Sequence, residues 1–319
     1  MNSTEDDYEI RRTIWESRIP VEFNLDSSQP ILRAQQSTFI MLPRISYFPF
    51  YLEEILHTLT GNALTEIDLS NVWLLNNGEE MIRWHYPIGV LYDMYRGNDQ
   101  NLPWVVTVRL KDFPDELVRC LSKDSLKFMF IQSLKEASQI KHKRNIVSTM
   151  TKEEHVRLFD SIKNDKFDEF WSINKKLMGS KSDPVDVQMA NPSFPFRQTC
   201  FPLIKKDDST NNSSSSTLIE VLEKAFPEHC PFVDQKFEVI SHGIDLPLDS
   251  SVGWIARNMS YPDNFVHIVP FILRFVPERW KIWFDSILYP TCPIKVPTHP
   301  EPSAPKEEEL KSEEEKKEM

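Results

Sequence analysis

The chain runs twice through the same order of short segments: a strand-like stretch, a turn, a short helix and a second strand-like stretch. The first copy is "WHYPIGVLYDMY" followed by "LPWVVTVRL", and the second is "SHGIDLPLDSSVGWIARNMSYPDNFVHIVPFI". The copies share the order of elements but not the amino acids. Because 319 residues accommodate about two domains, this weak repeat indicates two units of related topology.

The first unit is predicted over residues 18–115. Alternating apolar and polar residues predict strands at Arg18–Asp26 and Ser37–Phe48, with Pro43 interrupting the second strand. Tyr51–Gly61 has apolar residues at helical spacing, and two strands around an Asn-Gly turn, a short helix and a β-branched strand follow. Two strands, a helix, two strands, a short helix and a returning strand form the β-grasp arrangement of ubiquitin-like domains.

Residues 116–182 are predicted to form a helix-rich domain. One helix places four apolar residues on one side, namely Leu126, Phe130, Leu134 and Ala137. A capping box of Thr151 and Glu154 starts a second helical stretch that runs to "SINKKLM". Residues 183–193 are predicted as a linker, and residues 194–278 as the second ubiquitin-like domain. The predicted fold class is therefore α+β, with two β-grasp folds flanking a helix-rich domain.

The two ends of the chain lie outside this pattern. An N-terminal helix is predicted over residues 1–17, with Ser3 or Thr4 as its cap. Residues 279–319 are rich in Pro and then in Glu and Lys, which predicts an extension with a disordered acidic tail. Its apolar stripe is predicted to contact protein or to be disordered, with a membrane surface as the alternative; the stripe comprises Trp280, Trp283, Phe284 and Ile287.

Composition excludes several classes of function. The net charge of −11 argues against nucleic-acid binding, which needs a cationic surface. No glycine-rich phosphate loop is present, and the four cysteines form no CxxC pair that would suggest a zinc site. No apolar run reaches 18 residues, and the N-terminus is polar. We expect a soluble intracellular protein with reduced cysteines and without a cofactor or metal.

No catalytic motif is present in the sequence, so we expect that the protein is not an enzyme. His229 and Cys230 are adjacent, which would suit a thiol enzyme, but adjacency in sequence does not aim a base at a thiol. We therefore interpret both as structural. His85 is interpreted as a hydrogen-bonded structural histidine, and Trp84 and Trp104 as core residues.

The stretch "SLKEASQIKHKRN" carries four cationic side chains after an apolar run. On the projected helix, Lys135 lies opposite the apolar stripe and is the lysine that points most directly at solvent. Lys141 would fall on the stripe, so the sequence predicts either that the helix ends before it or that its amine snorkels to solvent.

Several motifs resemble the autophagy protein 5 family, in order from about Trp15 to Ile268. They include "WESRIPVEF", "LPRISY", "LPWVVTVRLKDFP", "NDKFDEFWSINKKLM" and "MSYPDNFVHI". The resemblance implies two ubiquitin-like folds flanking a helix-rich domain. It also implies that one lysine accepts the C-terminal glycine of the ubiquitin-like autophagy protein 12 through an isopeptide bond. The family setting "K-E-A" followed by "K-H-K" places that acceptor at Lys135, and charges at Lys141 and Lys143 would ease its deprotonation.

The resemblance implies further partners. The conjugate is expected to bind the coiled-coil autophagy protein 16, to meet the conjugating enzymes of the pathway transiently, and to promote E3-like lipidation of autophagy protein 8-type modifiers. It implies a cytoplasmic protein that associates peripherally with the preautophagosomal membrane. Arg44, in "LPRISY", is a candidate to line the groove for the partner helix, and its alternative role is a charge at a sheet edge. The alternative function is a non-covalent ubiquitin-like adaptor.

Two features depart from the family pattern. The stretch "FPFRQTCFPLIKK", residues 194–206, is several residues shorter than the family's first hairpin in the second ubiquitin-like fold. It predicts an irregular fold there, a splice form or an imperfect gene model. The extension beyond Phe271 is also not a family feature.

Overall fold

The computed structural model describes residues 7–27, 37–61, 67–96, 102–120, 122–142, 146–178, 184–191, 194–202, 204–206, 213–227 and 237–272. They belong to one compact unit, Met1–Phe275, and a second unit, Val276–Met319, lies outside them. The predicted tail and its apolar stripe therefore also lie outside the described residues. Within the described part, no helix has both the length and the apolar character needed to cross a membrane.

Helix α1 spans Tyr8–Glu16 and ends at Ser17, as the sequence predicted. Its cap is different from the predicted Ser3 or Thr4. The carboxylate of Asp7 accepts a hydrogen bond from the main-chain N–H of Ile10, which satisfies one of the free amides at the helix start.

The first β-grasp fold contains a five-stranded sheet in the order β2-β1-β5-β3-β4. Its strands are β1 (Arg18–Leu25), β2 (Ser37–Pro43), β3 (Trp73–Asn76), β4 (Glu80–Met81) and β5 (Trp104–Arg109). The helices are α2 (Leu52–Thr60) and α3 (Ile88–Tyr95). The parallel pairing of β1 with β5 at the centre confirms the predicted arrangement. Strand β2 ends at Pro43, which has no N–H for the ladder.

The helix-rich region contains α4 (Lys123–His142), α5 (Lys152–Lys163) and α6 (Phe167–Asn174). The predicted capping box at the start of α5 is confirmed. The prediction of a single helical stretch after the capping box is wrong. The helix is interrupted between α5 and α6, where Asp165 has a φ of +56°. The Asp165 carboxylate accepts the indole N–H of Trp15 at 2.7 Å and pairs with Arg18, so the break joins the helical region to α1 and β1.

The second β-grasp fold repeats the strand order of the first, as β11-β10-β12-β6-β7. Its strands are β6 (Val185–Asn191), β7 (Phe194–Phe201), β10 (Phe237–Ser241), β11 (Ile244–Asp245) and β12 (Val266–Ile272). Its helices are α7 (Leu218–Ala225) and α8 (Val252–Asn258). Two further strands, β8 (Ile204–Lys206) and β9 (Ser213–Ser215), pair only with each other among the described strands.

The predicted linker at residues 183–193 is wrong over most of its length. Val185, Val187 and Met189 alternate along β6 and are buried in the core of the second fold, which makes this segment a strand. Strand β6 pairs with β7, so the first hairpin of this fold starts earlier than the predicted 194–206 hairpin. The pairing of β6 with β7 shifts in register between Met189 and Asn191, outside residues 194–206, and the predicted shortening of that hairpin stays a prediction.

Candidate functional site

The predicted acceptor, Lys135, lies in α4 one residue after the buried Leu134. Its side chain is half-buried, whereas the helical projection predicted the lysine that points most directly at solvent. No described residue forms a hydrogen bond or an ion pair with its amine. An amine at a helix surface that its neighbours do not engage can react as a nucleophile once it has lost its proton.

Lys141 is buried, which neither sequence alternative predicted. Helix α4 continues past it, and the residue is only 6% exposed. Its amine donates to the main-chain oxygen of Asn264 at 2.6 Å. Burial lowers the pKa of Lys141 to about 8, against the opposing effects of Asp263 and Asp186. Its side chain lies on the buried side of α4, away from Lys135, and Lys143 lies outside the described residues.

The turn that receives Lys141 belongs to the second β-grasp fold. Asn264 has a φ of +66°, and its side-chain amide donates to the Asn174 side chain of α6 at 2.8 Å. Asp263 accepts a hydrogen bond from the His267 ring at 2.8 Å. The turn thus bonds to two helices of the helix-rich region through buried polar groups. Sequence reasoning missed this junction, although the predicted position of Lys141 on an apolar stripe was a usable signal.

A second set of hydrogen bonds joins α4 to the second β-grasp fold at Glu136, the residue after Lys135. The side-chain amide of Gln198, on β7, donates to Glu136 at 3.4 Å and also to Asp186 on β6. Asp186 is 1% exposed, and its Oδ1 has no hydrogen-bond partner among the described residues. Burial raises the pKa of Asp186 to about 6. The residue next to the predicted acceptor is therefore joined to the second β-grasp fold.

Arg44 lies where the two β-grasp folds meet. Its guanidinium pairs with Asp93 at 2.8 Å, and the other oxygen of Asp93 accepts the main-chain N–H of Gly243 at 2.9 Å. Burial raises the pKa of Asp93, and Arg44 opposes this shift. Only 10% of the Arg44 side chain is exposed. Arg44 is therefore a buried junction residue and not a sheet-edge charge, and its contact with a partner helix stays a prediction.

Two glycines allow the folds to approach each other at this junction. A Cβ on Gly243, whose φ is +77°, would lie 2.5 Å from the Arg44 guanidinium. A Cβ on Gly89 would lie 2.9 Å from the hydroxyl of Tyr261 in the second fold. The Tyr261 ring also stacks on His242 with centroids 3.8 Å apart. A larger residue at either glycine would separate the two folds.

The structure describes three of the remaining residues that the sequence singled out. Trp84 and Trp104 are buried core residues, as predicted. His85 is half-buried, its Nδ1 has no hydrogen-bond partner among the described residues, and desolvation lowers its pKa to about 4. His229 and Cys230 lie outside the described residues. Within the described part of the chain, no group of three His, Cys, Asp or Glu residues could hold a metal ion.

The three regions match three family models in the same order. Residues 14–110 match "Autophagy protein ATG5, UblA domain", residues 123–180 match "Autophagy protein ATG5, alpha-helical bundle region", and residues 184–269 match "Autophagy protein ATG5, UblB domain". The matched residues coincide with the first β-grasp fold, the helix-rich region and the second β-grasp fold.

Curated relatives agree with these matches. The chain is 31% identical to autophagy protein 5 of Drosophila melanogaster, over 82% of this chain and 96% of the relative. It is 31% identical to autophagy-related protein 5 of Caenorhabditis elegans, over 85% of this chain and 100% of the relative. The crystal structure of Kluyveromyces marxianus Atg5 has the same fold, with a TM-score of 0.68 and 20% identity over 82% of this chain and 99% of that chain. On these grounds the chain belongs to the autophagy protein 5 family.

Proposed function

We propose that this protein is a conjugation scaffold in autophagosome formation and that Lys135 receives the C-terminal glycine of the ubiquitin-like autophagy protein 12. The observation that supports this best is the state of the Lys135 amine. It lies at the surface of α4, it is partly exposed, and no described residue engages it. The "KEA" and "KHK" setting of this lysine in a chain of the autophagy protein 5 family also supports the proposal.

The proposed reaction needs only an amine from this chain. The uncharged Lys135 Nζ attacks the carbonyl carbon of the donor's terminal glycine, which the conjugating enzyme carries as a thioester. A C–N bond forms, the C–S bond breaks, the enzyme sulfur leaves as a thiolate and the attacking amine loses one proton to solvent. The catalytic cysteines then belong to the conjugating enzymes, which bind transiently. This protein is the acceptor substrate and needs no cofactor.

The conjugate is proposed to act in a larger assembly. We propose that it binds the coiled-coil autophagy protein 16 and promotes, in an E3-like manner, the lipidation of autophagy protein 8-type modifiers. This would occur in the cytoplasm and at the preautophagosomal membrane, on which the assembly is peripheral. The partner helix is proposed to lie where the two β-grasp folds meet. Arg44 would shape that groove, because its ion pair with Asp93 and the contact to Gly243 set the position of one fold against the other.

Substitution of the acceptor tests the proposal. Lys135→Arg keeps the charge but removes the acceptor amine, so the heavier conjugate band on a denaturing gel should disappear in a reconstitution with the conjugating enzymes and the modifier. Lys127→Arg is the matched control, because Lys127 is a half-buried lysine of the same helix. It should conjugate normally, and mass spectrometry should find the isopeptide at Lys135.

The same experiment separates the alternatives. A conjugate that persists at full yield in Lys135→Arg would exclude this lysine as the acceptor. If the unsubstituted chain binds the coiled-coil partner and never forms a conjugate, the non-covalent adaptor is the correct function.

A further inference from the structure

The side chain that follows Lys135 is tied to the second β-grasp fold. Gln198 Nε2 donates to Glu136 Oε1 at 3.4 Å and to the Oδ2 atom of Asp186. We call the three side chains Glu136, Gln198 and Asp186 the amide bridge. Gln198 and Glu136 are exposed, whereas Asp186 is 1% exposed. The bridge therefore connects the surface beside the acceptor to the interior of the second fold.

Asp186 is a buried carboxylate on the side of β6 that faces α4. Val185 and Val187, on either side of it in β6, enter the core of the second fold, so the Asp186 side chain lies on the opposite face of the strand. Its Oδ1 is buried and has no hydrogen-bond partner among the described residues. A buried carboxylate with an unpaired oxygen is costly unless nearby groups compensate it, and here Asp186 favours the charged form of Lys141 on α4. Its other oxygen accepts from Gln198, so Asp186 links the buried side of α4 to the surface beside the acceptor.

We propose that Asp186 and Gln198 are positioning residues for the acceptor: through Glu136, the amide bridge fixes the direction in which Lys135 leaves α4. The proposal rests on the proposed function of Lys135. Residues 135 and 136 share one turn of helix, so a bridge that holds Glu136 also limits rotation of the helix surface that carries the acceptor. Attack on a thioester depends on the approach of the nucleophile, and a misplacement of about 1 Å can slow a reaction about a hundredfold.

The amide bridge is not what keeps α4 folded in place. The buried stripe of the helix and the bond from Lys141 to Asn264 also hold it, so the loss of one exposed hydrogen bond should not unfold the helix. Gln198 is exposed at the surface of β7, so its replacement removes no core packing. Variants of the bridge should therefore fold, and their effect on conjugation can be separated from an effect on stability.

Single-turnover conjugation measures the role of the bridge. Gln198→Leu should lower the rate constant at saturating acceptor about tenfold, with little change in the acceptor concentration for half-maximal rate and with an unchanged melting temperature. Thr199→Val, a half-buried neighbour on the other face of β7, should react like the unsubstituted chain. Glu136→Ala should be as slow as Gln198→Leu, whereas Glu136→Gln keeps an acceptor oxygen and should recover most of the rate.

A pH profile distinguishes positioning from a structural role. Asp186 titrates near pH 6, and the groups that face it are Gln198 on β7, Glu136 and Lys141 on α4, and His267 on β12. The carboxylate form accepts the Gln198 hydrogen bond more strongly than the acid form does. Conjugation of the unsubstituted chain should therefore fall between pH 7 and pH 5.5 more steeply than that of Asp186→Asn, which has no charge to lose.

The outcomes are distinct from those that test the acceptor itself. If Lys135→Arg abolishes the conjugate while Gln198→Leu and Glu136→Ala react at the normal rate, the positioning role is wrong and the acceptor stands. Identical pH profiles for the unsubstituted chain and Asp186→Asn would also overturn the positioning role of Asp186. A normal conjugate from Lys135→Arg would overturn both proposals.

Discussion

Lys141 of α4 donates a hydrogen bond of 2.6 Å to the main-chain oxygen of Asn264 and so joins the helix that carries the proposed acceptor to the second β-grasp fold. The lysine is only 6% exposed. Burial of an ammonium group is unfavourable unless it is compensated, and here Asp263 and Asp186 favour the charged form while burial opposes it. The position of the acceptor helix therefore depends on a buried charge.

The burial of Lys141 predicts that the chain becomes more stable as the pH rises above 8. The pKa of Lys141 is about 8 in the folded chain and 10.5 as its ordinary value, so between these pH values the unfolded chain binds more protons. The free energy of unfolding should then rise with pH from about 8 to 10.5, and below pH 8 the cost of the buried charge is fully present. Relative to Lys141→Met, the unsubstituted chain should gain at most about 3 kcal/mol across this window.

Urea denaturation at several pH values measures this gain. Lys127→Met is the control, because Lys127 is half-buried on the same helix. Its stability should follow that of the unsubstituted chain at every pH. Parallel pH curves for Lys141→Met and the unsubstituted chain would show that folding does not lower the pKa of Lys141, and would contradict this prediction.

The ion pair between Arg44 and Asp93 predicts a large loss of stability when one partner is removed. Asp93→Asn leaves the buried guanidinium without a counter-charge and places a donor group where Asp93 accepts two hydrogen bonds. The free energy of unfolding should fall by about 3–5 kcal/mol. Chemical denaturation measures it.

The control is a pair at the surface. Glu169→Gln removes the partner of Arg157, whose side chain is 56% exposed, and the denaturation midpoint should hardly change. Equal losses in Asp93→Asn and Glu169→Gln would mean that burial of the Arg44 pair contributes nothing.

The burial of His242 predicts that the folded chain loses stability as the pH falls. Burial lowers its pKa from 6.5 to about 3, so the folded chain keeps this ring neutral while the unfolded chain takes up a proton below pH 6.5. Above pH 6.5 the ring of His242 is neutral in both states and does not reduce the free energy of unfolding. As the pH falls from 6.5 towards 3, proton uptake by the unfolded chain lowers that free energy. Between pH 6.5 and 5, the unsubstituted chain should lose about 2 kcal/mol relative to His242→Asn.

Asparagine suits this test because His242 has a φ of +54°, which asparagine tolerates better than most residues. The variant should be less stable near pH 7, since it loses the stacking on Tyr261, but its stability should change less with pH. The control is His57→Asn, because His57 is exposed. The stability of this variant should fall with decreasing pH as that of the unsubstituted chain does. A steep acid loss in His242→Asn itself would assign the sensitivity to another group.

Local patterns determined most of the elements. Alternation along Arg18–Leu25, the helical spacing in Leu52–Thr60 and the capping box at Thr151 each involve residues close in sequence, and each predicted its element correctly. The predicted linker was wrong over Val185–Asn191, although Val185, Val187 and Met189 alternate with polar residues there and this alternation was a usable signal for a strand. The break at Asp165 was missed because it depends on Trp15 and Arg18, which are about 150 residues away.

Short-range periodicity predicted the two repeated folds and the helical region between them, and the resemblance of the "KEA" setting to the autophagy protein 5 family selected Lys135. The tertiary structure alone sets the surroundings of each charged group. It buried Lys141 against Asn264, paired Arg44 with Asp93 and joined Glu136 to Asp186 through Gln198. The physical reason is that the stability of a buried charge depends on partners far away in sequence, and no local pattern records those partners.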